Sequence, residues 1–456
     1  MPLENQGISE ENYSKTVILV FAADRGHFNC SIPLSKELRR RGFVVELWTH
    51  ALTRSWYGKE SFDMINESLG SGEQLNVMVK LYKQSSSLGD GDNGSKSMML
   101  REFPSLMANA GLSWQEMDDY MASKEGREAF QNRLKDHPPS VVVWEATFCK
   151  WVTDICTERG VPCYGLAPSP YYPFRCHYSK LTNSKMLELD GSLHIRDIEK
   201  DSDPVTSKHP YAHIVAKILL QGASVRSNAS RFGFFLPSPI DKDISCDVGD
   251  ECLTSWLNKD TTPVILISLG SQSALAALGD AVGMTLVKGA LRANTRVVFV
   301  GDKTDLNSSD KNIAVDSVFC TSSIKQWEVL NHPNVKAFVT HCGSNSAHEG
   351  LYAGVPMIPL PFFDDEYYIA ENLEMLYGYS DDSMYSPLRK VDIRTKTCKR
   401  EDELDTHKTN AINKICNAIK LALKVPREKL ENLRMAVEEE DGVKTAGEII
   451  AKLAIA

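Results

Sequence analysis

The sequence predicts an α/β protein with two doubly wound domains, each built around a parallel sheet. Strand-like and helical stretches alternate in the first half of the 456-residue chain, and the same alternation resumes in the second half. An aperiodic stretch that contains several prolines separates the two halves. We therefore expect a first domain over 1–236, a linker over 237–262, a second domain over 263–434 and a final helical segment over 435–456.

The first half follows a strand–helix–strand pattern that is typical of βαβ units. The apolar run TVILVFA predicts a buried strand, and Gly42 ends the amphipathic helix that leads into the next strand, FVVELWT. Strands joined in this way are parallel, and their crossovers are right-handed. In chain order we predict a strand over 16–22, a loop over 23–27, a helix over 29–41, a strand over 43–49, an exposed loop over 83–97, amphipathic helical structure over 100–135, a strand over 141–146, a helix over 148–159, a strand over 163–168 and irregular segments over 169–215.

The second half repeats the alternation and adds two amphipathic helices near its end. Its apolar runs PVILISLG, RVVFVG and AFVT have the length and composition of buried strands. In chain order we predict a strand over 263–270, a helix over 274–292, a strand over 296–301, a strand near 317–320, a strand over 337–340, a helix over 347–354, a strand over 355–360, a surface excursion over 379–408 and helices over 406–423 and 443–456.

Composition excludes several classes of function. The formal net charge of −9 argues against a nucleic-acid surface, and the 42% hydrophobic and 24% charged content is ordinary for a soluble protein. The chain has no apolar run of about 18 residues and no basic-then-apolar leader, so we expect no membrane span and a cytoplasmic location. Its 11 cysteines lack metal-ligand spacing, which predicts reduced thiols and no metal site.

The strand-to-helix turn HCGSNS, residues 341–346, is the strongest functional signal. A helix that begins just after a strand directs backbone N–H groups and its positive dipole end toward one point, which favours an anion. His341, Asn345 and Ser346 add side-chain donors there, so the pattern predicts a phosphate or diphosphate site. Glu349 lies where a carboxylate can accept hydrogen bonds from ribose hydroxyls. The alternative is an ordinary βα turn whose histidines cap or pack.

Residues 323–366 resemble the donor-binding signature of family 1 UDP-glycosyltransferases. They align with it without a gap through Gln326, Glu328, His332, Pro333, His341, Cys342, Gly343, Asn345, Ser346, Glu349, Gly350, Gly354, Pro356 and Asp365. The resemblance implies the GT-B fold, in which two Rossmann-like domains face a cleft and the last helix returns to the first domain. It assigns the nucleotide and diphosphate to Ser271, Ser323, Ile324, Gln326, His341, Gly343, Asn345, Ser346 and Glu349, and the sugar to Ser344, Asp365 and Glu366.

A second segment, ADRGHFNCSIPLSKEL, resembles the Gly-His motif of the same family and places His27 at the catalytic base. Imidazole titrates near operating pH, and a residue following the first strand lies at the carboxyl edge of a parallel sheet, where crevices form. Glu145 ends the run VVVWE, at a position where similar proteins carry an Asp that orients the histidine. Helix capping is the alternative role for each residue.

Three positions depart from the plant form of the signature. Ser323 stands where a Trp normally stacks on uracil, an interaction worth about 1–3 kcal/mol. Ser344 replaces a second Trp, and Glu366 replaces a Gln beside Asp364 and Asp365. Asp364 fits a solvated side chain better than a functional one. The acidic loop should repel a uronic acid, so we expect a neutral hexose, glucose first.

The expected function is an inverting, metal-independent transfer of a hexose from a UDP-sugar to a hydroxyl of a small lipophilic acceptor. No cofactor beyond the UDP-sugar co-substrate is expected, because no Asp-x-Asp pair precedes the signature in a suitable loop and the helix start can hold the diphosphate. Two alternatives remain: a nucleotide-sugar epimerase and a non-catalytic nucleotide-sugar-binding protein. The resemblance is weak over 50–230, so the acceptor is not specified.

Overall fold

A computed structural model describes residues 15–21, 25–50, 77–82, 124–145, 149, 151–167, 218–221, 230–231, 251–270, 281–301, 315–322, 324–361, 365–377 and 401–455. Within these residues the chain forms two units. The first holds all described elements up to residue 231 together with the last helix, and the second holds the elements from 251 to 439. The predicted loop over 83–97 and the irregular segments over 169–215 lie largely outside the described residues.

The first unit is built on a seven-stranded sheet in the order β3-β2-β1-β4-β5-β6-β7. Strands β1 to β5 pair in parallel, and β6 and β7 continue the sheet in antiparallel fashion. Its strands are β1 (Thr16–Phe21), β2 (Val44–His50), β3 (Val77–Tyr82), β4 (Val141–Glu145), β5 (Cys163–Ala167), β6 (Ile218–Gln221) and β7 (Ser230–Arg231). Its helices are α1 (Arg25–Phe28), α2 (Ser31–Arg40), α3 (Lys124–Asp136), α4 (Trp151–Arg159) and α12 (Gly442–Ile455).

Helices α2 and α12 cover the same part of the first sheet. Leu34 and Leu38 of α2 join Ala446 and Ile450 of α12 in one buried cluster with the side chains of β1. The two helices approach closely because α12 presents Gly447, where an added Cβ would lie 2.6 Å from Glu37 Cγ. The final helix therefore belongs to the core of the first unit.

The second unit is built on a five-stranded parallel sheet in the order β10-β9-β8-β11-β12. Its strands are β8 (Val264–Ser268), β9 (Arg296–Val300), β10 (Val318–Thr321), β11 (Val335–Thr340) and β12 (Met357–Pro359). Its helices are α5 (Glu251–Leu257), α6 (Ala281–Arg292), α7 (Gln326–Leu330), α8 (Ser344–Tyr352), α9 (Asp365–Tyr377), α10 (Glu401–Ala422) and α11 (Arg427–Glu440). The neighbouring strands β8 and β11 are mainly apolar, and all their residues except Lys336 are buried, as a covered parallel sheet requires.

Several sequence predictions are corrected by the structure. The predicted linker contains helix α5, which buries Leu253 and Leu257, and the predicted loop over 23–27 contains the start of α1. The helix predicted over 347–354 begins earlier, at Ser344, and α10 begins at Glu401 inside the predicted surface excursion. Strands β3, β6 and β7 and helix α11 were not predicted. None of the described helices is both long and apolar enough to cross a membrane.

The contact between α6 and α10 provides a test of packing in the second unit. An added Cβ at Gly289 would lie 2.6 Å from Ile415 Cβ, so one of the helices must shift to admit it. We expect Gly289→Ala to lower the free energy of unfolding by roughly 1–3 kcal/mol, although Ala favours a helix over Gly by about 1 kcal/mol. Urea denaturation measures the change. Arg292→Ala, at an exposed site on the same helix, is the control and should be near neutral. Unchanged or higher stability of Gly289→Ala would contradict the close packing.

Candidate functional site

The first candidate site lies where the strand order of the first sheet reverses. Strands β1 and β4 are neighbours, but the chain runs outward from them in opposite directions, through β2 on one side and β5 on the other. Crevices in such sheets open at the carboxyl ends of these two strands. Val20 is paired with Trp144, so Phe21 and Glu145 leave the sheet at the same level. The segment after β1 carries His27, which brings both predicted catalytic residues to this point.

The side chains of His27 and Glu145 are in contact. His27 Nδ1 lies 3.1 Å from Glu145 Oε1; the histidine side chain is 21% exposed and the glutamate side chain is fully buried. A carboxylate next to Nδ1 holds the proton on that nitrogen and leaves Nε2 as the acceptor. The arrangement can therefore take a proton at Nε2 and stabilise the resulting imidazolium through Nδ1.

The short helix α1 is fixed by its neighbours. Phe28 is fully buried, the Cys30 thiol donates to the carbonyl of His27 at 3.0 Å, and the Ser31 hydroxyl donates to the carbonyl of Phe28 at 2.7 Å. On the other side, Glu145 is the last residue of β4, a strand whose residues are all buried. Since both backbones are anchored, the contact between the two side chains follows from the fold around them.

The second candidate site lies at the corresponding point of the second sheet. Strands β8 and β11 are neighbours at the reversal of strand order, and Ser268 is paired with Thr340 at their carboxyl ends. The segments that follow, at Gly270 and at 341–343, therefore leave the sheet side by side. Gly270 has φ of 84° and Cys342 has φ of 69°, and the Cys342 N–H donates to Thr340 Oγ1 at 3.2 Å. Such left-handed residues turn the chain sharply, and the one at Cys342 is followed almost at once by α8.

The start of helix α8 carries no side-chain cap. Gly343 is the N-cap residue, and it has no side chain that could hydrogen-bond to the first turn. Ser344 is the first helical residue, followed by Asn345 and the buried Ser346. The first N–H groups of a helix and its dipole attract an anion when no side chain occupies them. The predicted anion site is thus formed by small residues at a helix start, although the helix begins earlier than the sequence indicated.

The imidazole of His341 lies against two glycines beside this helix start. An added Cβ at Gly270 would come within 2.7 Å of His341 Nε2, and one at Gly343 would also collide with the ring. Burial lowers the pKa of His341 to about 4, so the ring is neutral at pH 7 and has one N–H to donate. Its Nε2 lies 4.0 Å from Glu366 Oε1, and Glu366 is itself buried. Within the described residues, Nδ1 of His341 has no hydrogen-bond partner.

A third group joins helices α7 and α8. The side-chain amide of Gln326 donates to Ser346 Oγ at 3.2 Å and also to the carboxylate of Glu349. Burial raises the pKa of Glu349 to about 7, and the hydrogen bond from Gln326 opposes that shift. Glu349 therefore changes charge near neutral pH, and the structure brings these three predicted residues together.

The remaining predicted residues fall into two groups. Ile324 is half-buried just before α7, and the Ser344 hydroxyl is buried without a partner among the described residues. Ser271 and Ser323 lie outside the described residues, and so does the side chain of Asp365, although its backbone begins α9.

Two other residues of the signature have packing roles. Trp327 packs against Tyr352 with the rings tilted and their centroids 4.8 Å apart. His332 Nε2 forms a hydrogen bond of 3.2 Å with Asn258 Oδ1, and its Nδ1 accepts a hydrogen bond from the backbone N–H of Asn334. The sequence analysis missed the part played by Gly270, whose signal was the glycine that ends the run LISLG. It also missed the proximity of His341 and Glu366. These residues are far apart in the sequence, so no local pattern indicates that they lie close together.

Comparison with known proteins shows which family model and which relatives this chain resembles. Residues 264–380 match the family model described as UDP-glucoronosyl and UDP-glucosyl transferase. The indole-3-acetate beta-glucosyltransferase of Zea mays is 32% identical over 134 residues, which span 28% of this chain and 28% of that protein. A putative UDP-glucose glucosyltransferase of Fragaria ananassa is 24% identical over 416 residues, which span 79% of this chain and 82% of the relative.

Solved structures with the same fold cover nearly the whole chain. The crystal structure of Medicago truncatula UGT71G1 complexed with UDP-glucose superposes with a TM-score of 0.65 at 15% identity, over 98% of this chain and 100% of that one. A UDP-glucosyltransferase from Polygonum tinctorium gives a TM-score of 0.60 at 17% identity, over 97% and 98%. These similarities show the GT-B fold, and the residues of the second candidate site fall within the segment that the family model matches or directly beside it. Residues 264–380 thus match the UDP-glucoronosyl and UDP-glucosyl transferase family, and the chain as a whole is similar in sequence and in fold to UDP-glycosyltransferases.

Proposed function

We propose that the protein transfers a hexose from a UDP-sugar to a hydroxyl group of a small acceptor and inverts the configuration of the anomeric carbon. The contact of His27 Nδ1 with the buried Glu145 carboxylate, at 3.1 Å, carries the proposal. A histidine that only capped a helix would not need a buried carboxylate at its second nitrogen. A base at this place suits the removal of a proton from an acceptor hydroxyl.

The proposed reaction is a single displacement. His27 Nε2 accepts the proton of the acceptor hydroxyl while that oxygen attacks the anomeric carbon from the face opposite the diphosphate. The bond between the anomeric carbon and the diphosphate oxygen breaks, and UDP leaves. Glu145 stabilises the imidazolium that forms, because its carboxylate faces the protonated Nδ1.

The start of α8 is the proposed site of the diphosphate. The uncapped first turn, the neutral imidazole of His341 and the side chains of Asn345 and Ser346 can all donate to phosphate oxygens. Ser271, the residue after Gly270, is proposed to add a hydroxyl. These donors would stabilise the charge that gathers on the leaving group, which makes a metal ion unnecessary in this proposal.

Glu349 is the proposed partner of the ribose hydroxyls, with Gln326 holding its carboxylate in place. Ser323 and Ile324 are proposed to border the uracil. For the sugar we propose Ser344, Asp365 and Glu366. Glu366 is buried beside His341, and an added carboxylate from a uronic acid would meet like charge in a poorly solvated place. A neutral hexose, glucose first, is therefore the proposed donor.

A panel assay separates this proposal from its two alternatives. The purified protein is incubated with UDP-glucose, UDP-galactose or UDP-glucuronate, with and without phenolic and sterol acceptors, and products are separated by chromatography that resolves epimeric UDP-sugars and identified by mass spectrometry. A transferase yields glycosylated acceptor and UDP. Conversion of the UDP-sugar without acceptor would indicate an epimerase. Binding of UDP-sugars in calorimetry without turnover on any acceptor would indicate a binding protein.

The base assignment predicts a specific defect in His27→Ala. We expect turnover with oxygen acceptors to fall by about 10²–10⁴-fold, since a positioned general base contributes that much, while affinity for UDP stays unchanged. Initial rates and calorimetric titration measure the two quantities. His137→Ala is the control, because His137 is an exposed histidine at the end of α3 in the same unit. Wild-type turnover in His27→Ala would remove this residue from the mechanism.

The pKa of Glu349 predicts how donor affinity depends on pH. Because burial raises that pKa to about 7, the carboxylate form becomes dominant as pH rises from 6 to 8. That form accepts hydrogen bonds from ribose hydroxyls more strongly than the protonated form does, so the KM for UDP-glucose should fall several-fold over this range. In Glu349→Gln the KM should be higher at every pH and its dependence on pH flatter. An unchanged pH dependence in the variant would rule out Glu349 as its source.

A further inference from the structure

Two cysteines of the first unit lie together, away from the His27–Glu145 pair. Cys156 is in the last turn of α4, and Cys163 is the first residue of β5. Their side chains are hydrogen-bonded to each other. Cys156 is fully buried, whereas Cys163 keeps part of its surface exposed. Both are free thiols in this structure.

The turn between α4 and β5 holds the two cysteines in place. Gly160 has φ of 65°, its N–H donates to the carbonyl of Thr157, and the Val161 N–H donates to the carbonyl of Cys156 at 2.9 Å. These bonds end the helix as a glycine C-cap does and direct the chain straight into β5. The positions of both cysteine backbones are thus set by hydrogen bonds within one short turn, so little loop ordering is needed to bring the sulfurs together.

The indole ring of Trp144 provides a second contact for one member of the pair. Trp144 is paired with Gly165 across β4 and β5, and an added Cβ at Gly165 would lie 3.0 Å from the ring. The missing side chain lets the indole lie close to β5, so that the ring interacts with Cys163, two residues before Gly165. The hydrogen bond from Cys156 and this interaction lower the pKa of Cys163, while the same thiol pair and burial raise the pKa of Cys156.

We propose that Cys156 and Cys163 are a redox pair that forms a reversible disulfide on exposure to hydrogen peroxide, with Cys163 reacting first. The division of roles follows from their surroundings. Cys163 is partly exposed to solvent, and the adjacent Cys156 thiol favours its thiolate, which is the reactive form. Cys156 is inaccessible to reagents but lies next to the other sulfur, as a resolving thiol must.

The chemistry is complete with peroxide as the oxidant. The Cys163 thiolate attacks one peroxide oxygen, the O–O bond breaks, and the departing hydroxide takes up a proton as water. Cys156 then gives up its proton and attacks the sulfenic acid on Cys163, the S–O bond breaks, and the hydroxide leaves as a second water. Two thiols lose two electrons in total, and one peroxide is reduced to two waters.

The sequence makes the product easy to identify. Trypsin cleaves after Lys150, Arg159 and Arg175, so Cys156 and Cys163 fall on separate peptides, 151–159 and 160–175, and each peptide carries one cysteine. The intact protein is treated with a small excess of peroxide, its remaining thiols are alkylated, and it is digested without reductant. The two peptides should appear as one disulfide-linked species by mass spectrometry, and dithiothreitol added before alkylation should restore two alkylated peptides.

Two variants test the order of events. In Cys156→Ser, Cys163 should be trapped as a sulfenic acid by dimedone, at a rate about tenfold above that of the exposed Cys252. In Cys163→Ser, Cys156 should stay unmodified. Cys252→Ser is the control and should leave the disulfide yield unchanged.

Two results would overturn the proposal. The first is full alkylation of both wild-type peptides after peroxide has oxidised Cys252. The second is faster labelling of Cys156 in Cys163→Ser than of Cys163 in Cys156→Ser. The first result is read from the wild-type protein and does not depend on whether either variant folds.

Discussion

The first unit depends on a fully buried carboxyl group at the end of a central strand. Glu145 has no exposed surface, and a carboxylate withdrawn from water is costly unless a partner compensates it. His27 is that partner, at 3.1 Å, and it reaches Glu145 because α1 follows the neighbouring strand. The same contact has two effects: it compensates the burial of the Glu145 carboxylate, and it favours the His27 tautomer with its proton on Nδ1.

The two units present different chemistry at the same topological position. At the reversal of strand order in the first sheet, a histidine contacts a buried carboxylate. At the reversal in the second sheet, the chain carries small residues, with a left-handed Cys342 and the uncapped start of α8. A base needs a side chain that reaches out, whereas a diphosphate needs backbone N–H groups that can be approached closely. Residues 270 and 343 are glycines, and the ring of His341 occupies the space that side chains there would take.

Strand positions are predicted best from the sequence where a strand is buried on both faces, because it is then a nearly continuous run of apolar residues. Strands β1, β4, β8 and β11 are mainly apolar and almost wholly buried, and their positions were predicted to within a residue or two. Helix α11 was missed because its charged residues hide a narrow buried stripe at Leu433 and Val437. Helix α5 was assigned to a linker because only two of its side chains are buried.

The candidate site divides in the same way. His27 and Glu145 were predicted to form a pair because each follows a recognisable strand, and parallel strands bring their carboxyl ends together. The early start of α8 was not predicted, since Ser and Asn are weak helix formers and the turn at Cys342 and Gly343 fixes the start instead. The bonds from Gln326 to Ser346 and Glu349 join two helices, so no local pattern could show them.

The most direct test is the tautomer of His27 at neutral to alkaline pH, measured by nitrogen-15 NMR on protein labelled at histidine and assigned with a His27 variant. The account predicts a neutral ring with its proton on Nδ1, which faces Glu145, and a shift of the population toward the other tautomer in Glu145→Gln. A wild-type ring protonated on Nε2 would contradict the account, because that nitrogen could not then accept a proton from a hydroxyl.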